Sequence, residues 1–110
     1  MLHDAKWFVK KFKAIPESKW TTNVLIEKGR CCALGHCGVR AKPCPDQGYE
    51  CKKWYPTPQS NALNVLLGGN PGEFRAVYDI NDGNDPDYPQ DTPKKRILAA
   101  LYAIQKGQPK

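Results

Sequence analysis

The sequence predicts a small single domain of the α+β class, mainly helical, with about four helices and at most a short two-stranded sheet. The chain has 110 residues, a length typical of one domain. Apolar residues recur at helical spacing near both ends of the chain, whereas only short β-branched segments lie between them. With 40% apolar and 10% aromatic residues, the composition is that of a globular protein, so residues 1–110 are interpreted as one domain.

The first predicted helix covers residues 4–15. Its apolar positions recur every three or four residues, at Ala5, Phe8, Val9, Phe12 and Ile15. Asp4 is suited to cap its N-terminus and Pro16 to end it, while four lysines occupy the other face. The next segment, residues 21–26, is short and β-branched, which predicts a strand.

The middle of the chain alternates between apolar and turn-rich segments. Residues 31–39 are compact and apolar, which predicts a short buried helix. Residues 40–59 contain four prolines and one glycine, which predicts a long loop. Ser60 is a candidate cap for a helix over residues 61–67, which Gly68 ends.

The last third of the chain contains the clearest helix signal. Residues 74–80 partly alternate, which predicts a second strand that could pair with residues 21–26. A polar, acidic loop is predicted over residues 81–91. The final helix follows, because Thr92 can cap it and Pro93 suits its first turn.

Charge is distributed unevenly along the chain. The formal net charge is +6, with basic residues in blocks at 6–13, 28–53 and 94–110 and acidic residues concentrated between Glu73 and Asp91. This segregation favours either an acidic partner or pairing between segments of the chain itself. A protein or another macromolecule is therefore the predicted partner, and nucleic acid stays an alternative. No apolar run approaches the roughly 18 residues that cross a bilayer, so no membrane partner is predicted.

The five cysteines are an odd number, which argues against a complete disulfide framework. The first residues show no apolar segment of the secretory type, so the expected location is the cytoplasm, where thiols stay reduced. The four candidate zinc ligands are Cys32, Cys37, Cys44 and Cys51. They form no Cys-x2-Cys pair, so the main prediction is free thiols with no metal and no cofactor. A zinc-stabilised nucleic-acid binder and one bridge between Cys44 and Cys51 remain alternatives.

A catalytic hypothesis starts from Cys32, because a thiol near a helix start has its pKa lowered by the helix dipole. His36 lies four residues further along, and Asp82 could orient its imidazole, so a cysteine-dependent hydrolase is one alternative function. Against it, Cys32 is expected to be buried and slow to react, since its neighbours Ala33 and Leu34 are typical of a core. The chain also has no P-loop and no GxGxxG, GxSxG or HExxH motif, which favours a protein that is not an enzyme.

The candidate binding segment consists of two lysines followed by two aromatic residues, Lys52, Lys53, Trp54 and Tyr55. Exposed aromatic side chains beside lysines can stack on bases or anchor a protein partner. They can equally fold back as a lid over a small core. Both interpretations stay open at this point.

A longer pattern joins several of these residues. It consists of Gly29-Arg30-Cys31-Cys32-Ala33-Leu34-Gly35, then Asn81-Asp82, then a closing amphipathic helix. In these features the chain resembles a family of small uncharacterised proteins of bacteria and phages, a domain of unknown function with a Gly-Arg-x-Cys-Ala-Leu-Gly element. The resemblance implies no activity. It favours a phage-encoded binding or accessory module that acts on a host macromolecule, and this is the predicted function.

For Asn81 and Asp82 we predict a structural role. Asn and Asp side chains bond to nearby backbone amides and can cap a helix start. The expected target is the set of amides at the start of the predicted helix, near residues 31–35. Arg30 is the expected charge partner of Asp82.

Overall fold

The structure is a computed structural model that describes residues 4–22, 25–43, 52–70 and 73–106. In these ranges the chain forms, in order, α1 (Ala5–Lys13), a 3₁₀ turn (Glu17–Lys19), β1 (Ile26–Glu27), β2 (Arg30–Cys31), α2 (Ala33–His36), β3 (Arg40–Pro43), β4 (Lys52–Tyr55), α3 (Pro58–Leu66), α4 (Arg75–Asp82) and α5 (Pro93–Gln105). β1 pairs with β2, and β3 pairs with β4, both in antiparallel orientation. The predicted fold class is confirmed, because helices dominate the described ranges and strands are confined there to these two short pairs.

The first and last helices begin where their capping residues predict. Asp4 Oδ1 accepts a hydrogen bond from the backbone N–H of Trp7 at 2.9 Å, which caps α1. Thr92 Oγ1 accepts one from the backbone N–H of Lys95 at 3.1 Å, and Pro93 occupies the first position of α5. α1 and α5 pack against each other, so the first and last helices of the described residues are in direct contact.

α3 starts at Pro58, earlier than the predicted residue 61, because its capping residue is Thr57 and not Ser60. Thr57 Oγ1 accepts from the Ser60 N–H at 3.1 Å, and Ser60 Oγ accepts from the Thr57 N–H at 2.8 Å, which forms a capping box. The Thr57 hydroxyl also donates to the carbonyl of Cys37 at 2.6 Å, and this bond ties α3 to the end of α2.

The predicted loop over residues 40–59 is corrected at both of its ends, where β3 and β4 form a hairpin and α3 begins. Its proline and glycine content suggested a loop. A two-stranded pair consists of two edge strands, however, and Pro43 at the end of β3 is compatible with an edge. Residues 44–51, between the two strands, lie outside the described residues.

The predicted strand over residues 74–80 is wrong, because this segment belongs to the helix α4. Ile80 and Asn81 lie on its buried face, and Gly83 ends it in the left-handed conformation with φ +85°. The acidic loop therefore begins at Gly83 and not at residue 81. Among the described residues of the predicted strand over residues 21–26, only Ile26 belongs to a strand, β1, which pairs with β2. Short apolar segments fit the helical and the strand period almost equally well, which explains both errors.

The core lies between α1, α2, α4 and α5. The largest fully buried apolar side chains from these helices are Phe8, Phe12, Leu34, Val77, Ile80, Ile97 and Leu101, and α3 adds Leu63. α4 packs on both α2 and α5, so the C-terminal end of α4 lies next to the start of α2. None of the helices in the described ranges combines the length and the apolar character that a bilayer crossing requires.

Candidate functional site

The side chain of Asn81 joins three segments in the interior. Its Oδ1 accepts a hydrogen bond at 3.0 Å from the backbone N–H of Ala33, the first residue of α2. Its Nδ2 donates to the carbonyl of Thr21 at 3.0 Å and to Oδ1 of Asp82 at 2.9 Å. The residue is fully buried, at 0% exposure. The predicted bond from the Asn81-Asp82 pair to the helix start is therefore confirmed.

The predicted charge pair between Arg30 and Asp82 is wrong. Arg30 is exposed in β2, and no ion pair joins these two residues, which are both described. The Asp82 carboxylate accepts a hydrogen bond from Asn81 instead. Residues 75–82 form a helix and not a strand. Asp82 therefore lies in the last turn of α4, where its carboxylate accepts from the Asn81 side chain.

Arg96 contacts the same end of α4 from the opposite side. Its Nε and Nη2 donate to the Asn81 carbonyl at 3.2 and 2.8 Å, Nε also donates to the Ile80 carbonyl at 3.1 Å, and Nη1 donates to the Gln90 carbonyl at 2.8 Å. Only 8% of this residue is exposed. The carbonyls at a helix C-terminus carry partial negative charge, which compensates the buried guanidinium. We call Asn81, Asp82 and Arg96, with their backbone partners, the Asn81 junction.

Arg96 is not among the site residues predicted from the sequence, although its position on an otherwise apolar helix face indicates a buried charge. Arg96 lies on the buried face of α5, where the other residues are apolar. An arginine on such a face needs acceptors that come from another part of the chain. Here they come from Ile80 and Asn81 at the end of α4, where the sequence predicted the end of a strand and the start of a loop, and from Gln90 before α5.

Cys32 lies at the N-cap position of α2, as the nucleophile hypothesis requires, but it is only 4% exposed. Burial raises the pKa of this thiol above its usual value. The backbone N–H groups of Gly35 and Leu34 lower the pKa in part, and the nearby carboxylate of Asp82 raises it. Cys32 is therefore held as a neutral thiol inside the core, which disfavours a role as nucleophile.

The imidazole ring of His36 makes its contacts away from the Cys32 thiol, although the His36 N–H donates to the Cys32 carbonyl at 2.9 Å. Its ring packs against Trp20, with ring centroids 4.7 Å apart, and its Nε2 is buried without a hydrogen-bond partner among the described residues. Burial lowers the pKa of the imidazole, a hydrogen bond with the backbone of Lys19 raises it, and the ammonium of Lys11 lowers it. The base and the thiol of the hypothetical catalytic relay are therefore not in hydrogen-bond contact.

The candidate zinc ligands are only partly described. Cys37 is buried, and burial raises the pKa of its thiol to about 12, so the thiolate form that binds metals is disfavoured. Within residues 4–22, 25–43, 52–70 and 73–106, no group of three His, Cys, Asp or Glu side chains is placed to hold a metal ion. The other two candidates, Cys44 and Cys51, lie outside the described residues.

The candidate binding segment forms the strand β4. Its register places Lys53 opposite Lys42 and Tyr55 opposite Arg40. Tyr55 is 39% exposed, and Arg40 Nη1 donates to the Gly35 carbonyl at 3.1 Å. Within this segment, the side chains of Lys52, Lys53 and Trp54 lie outside the described part of the structure.

Three lysines line the outer face of α1. We call Lys6, Lys10 and Lys13 the lysine row. All three are exposed, and their spacing of four and three residues places them on one side of the helix. The ion pairs that the described residues form are Arg75–Asp79 and Lys95–Asp91, so none of the three lysines has such a partner there. Nζ of Lys94 donates to the Lys13 carbonyl at 3.2 Å, which extends the positive surface from α1 to the start of α5.

Acidic residues gather elsewhere, at an open groove of about 360 Å³. The turn between α3 and α4, the helix α4 and the loop before α5 border this groove. Its charged lining residues are Glu73, Arg75, Asp79 and Asp85. The segregation of charge along the sequence therefore persists in the fold, with acidic residues at α4 and basic residues on α1.

No protein family, no curated protein and no solved structure matches this sequence. The resemblance to small bacterial and phage proteins stays a prediction. The contacts, burial and charge of the chain's own residues therefore carry the functional argument.

Proposed function

We propose that this protein is a small binding module, not an enzyme, and that it binds an anionic macromolecule through the lysine row. The observation that carries the proposal is the lack of an acidic partner for Lys6, Lys10 and Lys13 among the described residues. The chain has 11 acidic side chains, and six of them fall within residues 73–91. Its composition would therefore allow the lysines to be paired, yet most of the acidic residues lie in that later segment, and the Asp4 carboxylate at the start of α1 caps the helix instead.

The lysine row is unfavourable in the free protein. Like charges three or four residues apart on a helix cost about 0.2–0.5 kcal/mol per pair. Lys10 and Lys13 lie in the last turn of α1, where the helix dipole favours them, but Lys6 lies in the first turn, where it does not. An anionic surface that covers the row relieves this repulsion. The relief adds to the free energy of binding.

The two alternative functions have less support. A cysteine hydrolase needs an accessible thiolate, whereas burial keeps Cys32 neutral and His36 packs on Trp20. A zinc-stabilised nucleic-acid binder needs thiolate ligands, and burial disfavours the thiolate form of Cys37, one of its four candidate ligands. A binding surface needs only accessible charge, which the outer face of α1 provides.

The proposal also includes the origin of the partner and the compartment in which it is bound. The resemblance to small bacterial and phage proteins supports a host macromolecule as the partner. The three described cysteines are free thiols, and thiols persist in a reducing compartment such as the cytoplasm. Both points fit an accessory protein that acts inside a cell.

Retention on a heparin column tests the proposal. In the row variant, Lys6, Lys10 and Lys13 are changed to Gln, which preserves helix propensity while it removes three charges. The matched control removes three exposed charges outside α1, through Lys19→Gln, Lys28→Asn and Arg30→Gln. Asn suits position 28, where φ is +50°.

We expect the row variant to elute at clearly lower salt than the wild type, and the control variant to elute close to the wild type. The reason is that three adjacent charges engage one polyanion together, whereas scattered charges do not. Equal elution of the row and control variants would contradict the proposal. Circular dichroism of both variants checks that the fold is retained.

A further inference from the structure

We infer that the anionic partner is a nucleic acid, and that the lysine row holds its phosphate backbone without reading the base sequence. This inference rests on the proposed function, because it names the partner class for the same surface. It depends on three properties of α1: the length of the row, the lack of exposed large apolar side chains on this helix, and the contacts of the Trp7 ring.

The length of the lysine row fits a run of phosphates. Seven residues separate Lys6 from Lys13, and a helix rises about 1.5 Å per residue, so the row is about 10 Å long. One DNA strand carries a phosphate about every 3.4 Å along the helix axis. Measured along the duplex axis, the length of the row therefore corresponds to about three phosphates of one strand, which matches the number of ammonium groups. The flexible four-carbon stems of the lysines can adjust to the remaining mismatch.

A protein partner fits this face less well. Protein interfaces are centred on apolar and aromatic side chains, and lysine is depleted in them. The exposed large apolar residues of the described ranges are Ile26, Tyr55, Val65, Tyr78 and Tyr102. None of them belongs to α1, so the lysine row has no apolar centre on its own helix. A uniform row of positive charge matches a uniformly charged backbone better than it matches a protein surface of mixed charge.

The nearest aromatic side chain indicates that bases are not read. Trp7 lies on α1 beside the row, but the Lys11 ammonium sits over its ring, 5.7 Å from the centroid. The edge of the same ring meets Phe8, with centroids 5.0 Å apart. Base stacking needs an open aromatic face, whereas phosphate contacts carry no sequence information. We therefore expect affinity to depend on salt and not on sequence.

Fluorescence anisotropy with three labelled probes tests this inference. The probes are a 20-base-pair DNA duplex, a second duplex of scrambled sequence, and a polyglutamate peptide with the same number of charges. For the wild type we expect equal binding to both duplexes, weaker binding to polyglutamate, and a slope of log K against log salt concentration of about −3 or steeper. In the row variant we expect at least tenfold weaker duplex binding and a slope reduced by about 3.

Two further variants sharpen the result. Replacing the three lysines of the row by Arg keeps the charge and should preserve the slope, and the control variant at positions 19, 28 and 30 should behave like the wild type. Polyglutamate binding as tight as duplex binding, lost in the row variant, would overturn the nucleic-acid inference and leave the proposed function standing. A row variant that binds every probe like the wild type would overturn both.

Discussion

The Asn81 junction and the lysine row both consist of polar side chains, but they differ in what those side chains contact. In the junction, the side-chain nitrogen and oxygen of Asn81 and the guanidinium of Arg96 all have hydrogen-bond partners inside the fold. On α1, three lysines point to solvent with no acidic partner among the described residues. The difference indicates which polar residues hold the fold together and which are available to a partner.

The largest expected effect is at Asn81. Replacing Asn81 by Leu leaves the Ala33 N–H and the Thr21 carbonyl buried without partners, so the free energy of unfolding should fall by about 3–5 kcal/mol. Asp82→Asn is the matched control, and it should cost less, about 1 kcal/mol, since it keeps an oxygen acceptor for the Asn81 side chain at the same position. Urea unfolding followed by circular dichroism measures both values. Equal losses in the two variants would show that Asn81 has no special role.

The next largest effect is at Arg96. Arg96→Met keeps the aliphatic part of the side chain but leaves the carbonyls of Asn81 and Gln90 without their guanidinium donor, which should cost about 2–3 kcal/mol. The control is the neighbouring Lys95→Met, which removes only an exposed pair with an acidic side chain and should change stability by less than about 0.5 kcal/mol. If Lys95→Met proves as harmful as Arg96→Met, the account of the buried guanidinium fails.

The junction also shows how far the sequence could predict this fold. α1 and α5 were predictable because Asp4 and Thr92 cap long segments of clear helical period. α4 was not, since residues 74–80 also alternate as a strand would, and packing on α2 and α5 decides between the two. The capping role of Asn81 followed from its side-chain chemistry, whereas the partners of Arg96 exist only after α4 and α5 have packed together.

The candidate site was less predictable than the fold. Sequence spacing suggested that Cys32 and His36 share a helical face, but α2 has only four residues, and the histidine ring turns to Trp20. The four lysines of the N-terminal helix were visible in the sequence, but their lack of acidic neighbours depends on where residues 73–91 fold. Whether a lysine has an acidic neighbour is therefore decided by the packing of the whole chain and not by local sequence spacing.

A smaller effect is expected at the buried thiols. Cys32→Ala should lower the free energy of unfolding by roughly 1–2 kcal/mol, because it leaves a small cavity at the start of α2.

In the native wild type, iodoacetamide should modify the partly exposed Cys31 before Cys32 and Cys37, since burial raises the pKa of the latter two. Peptide-resolved mass spectrometry gives the order of labelling, and rapid modification of Cys32 would restore the nucleophile hypothesis.

A still smaller effect should follow a change of pH. The pKa of His36 is lowered in the folded protein, chiefly by burial, so the unfolded chain binds the proton more readily. Stability should therefore fall as the pH is lowered from 7.5 through the usual histidine pKa of 6.5 to 5.5. His36→Phe keeps an aromatic ring beside Trp20 and should remove this part of the pH dependence. An unchanged pH dependence in that variant would assign the effect to other groups.

The smallest effect on stability is expected at the lysine row itself. Changing Lys6, Lys10 and Lys13 to Gln should leave the urea midpoint unchanged or raise stability by about 0.5 kcal/mol, because two like-charge contacts disappear. A clear loss of stability would mean that the row supports the fold, and it would erase the contrast with the Asn81 junction. The same samples serve for the binding measurements, so both properties are compared in identical material.

The bond between the Ala33 amide and Asn81 has a consequence for hydrogen exchange. The two residues are 48 positions apart in the chain, and the first amide of an α-helix has no acceptor within its own helix. Helices can release their end amides by local fraying, but the Ala33 amide is released only when α4 separates from α2. Its exchange rate should therefore report the opening of the whole domain. A ligand that stabilises the folded state slows this exchange even if it binds far away, on the outer face of α1.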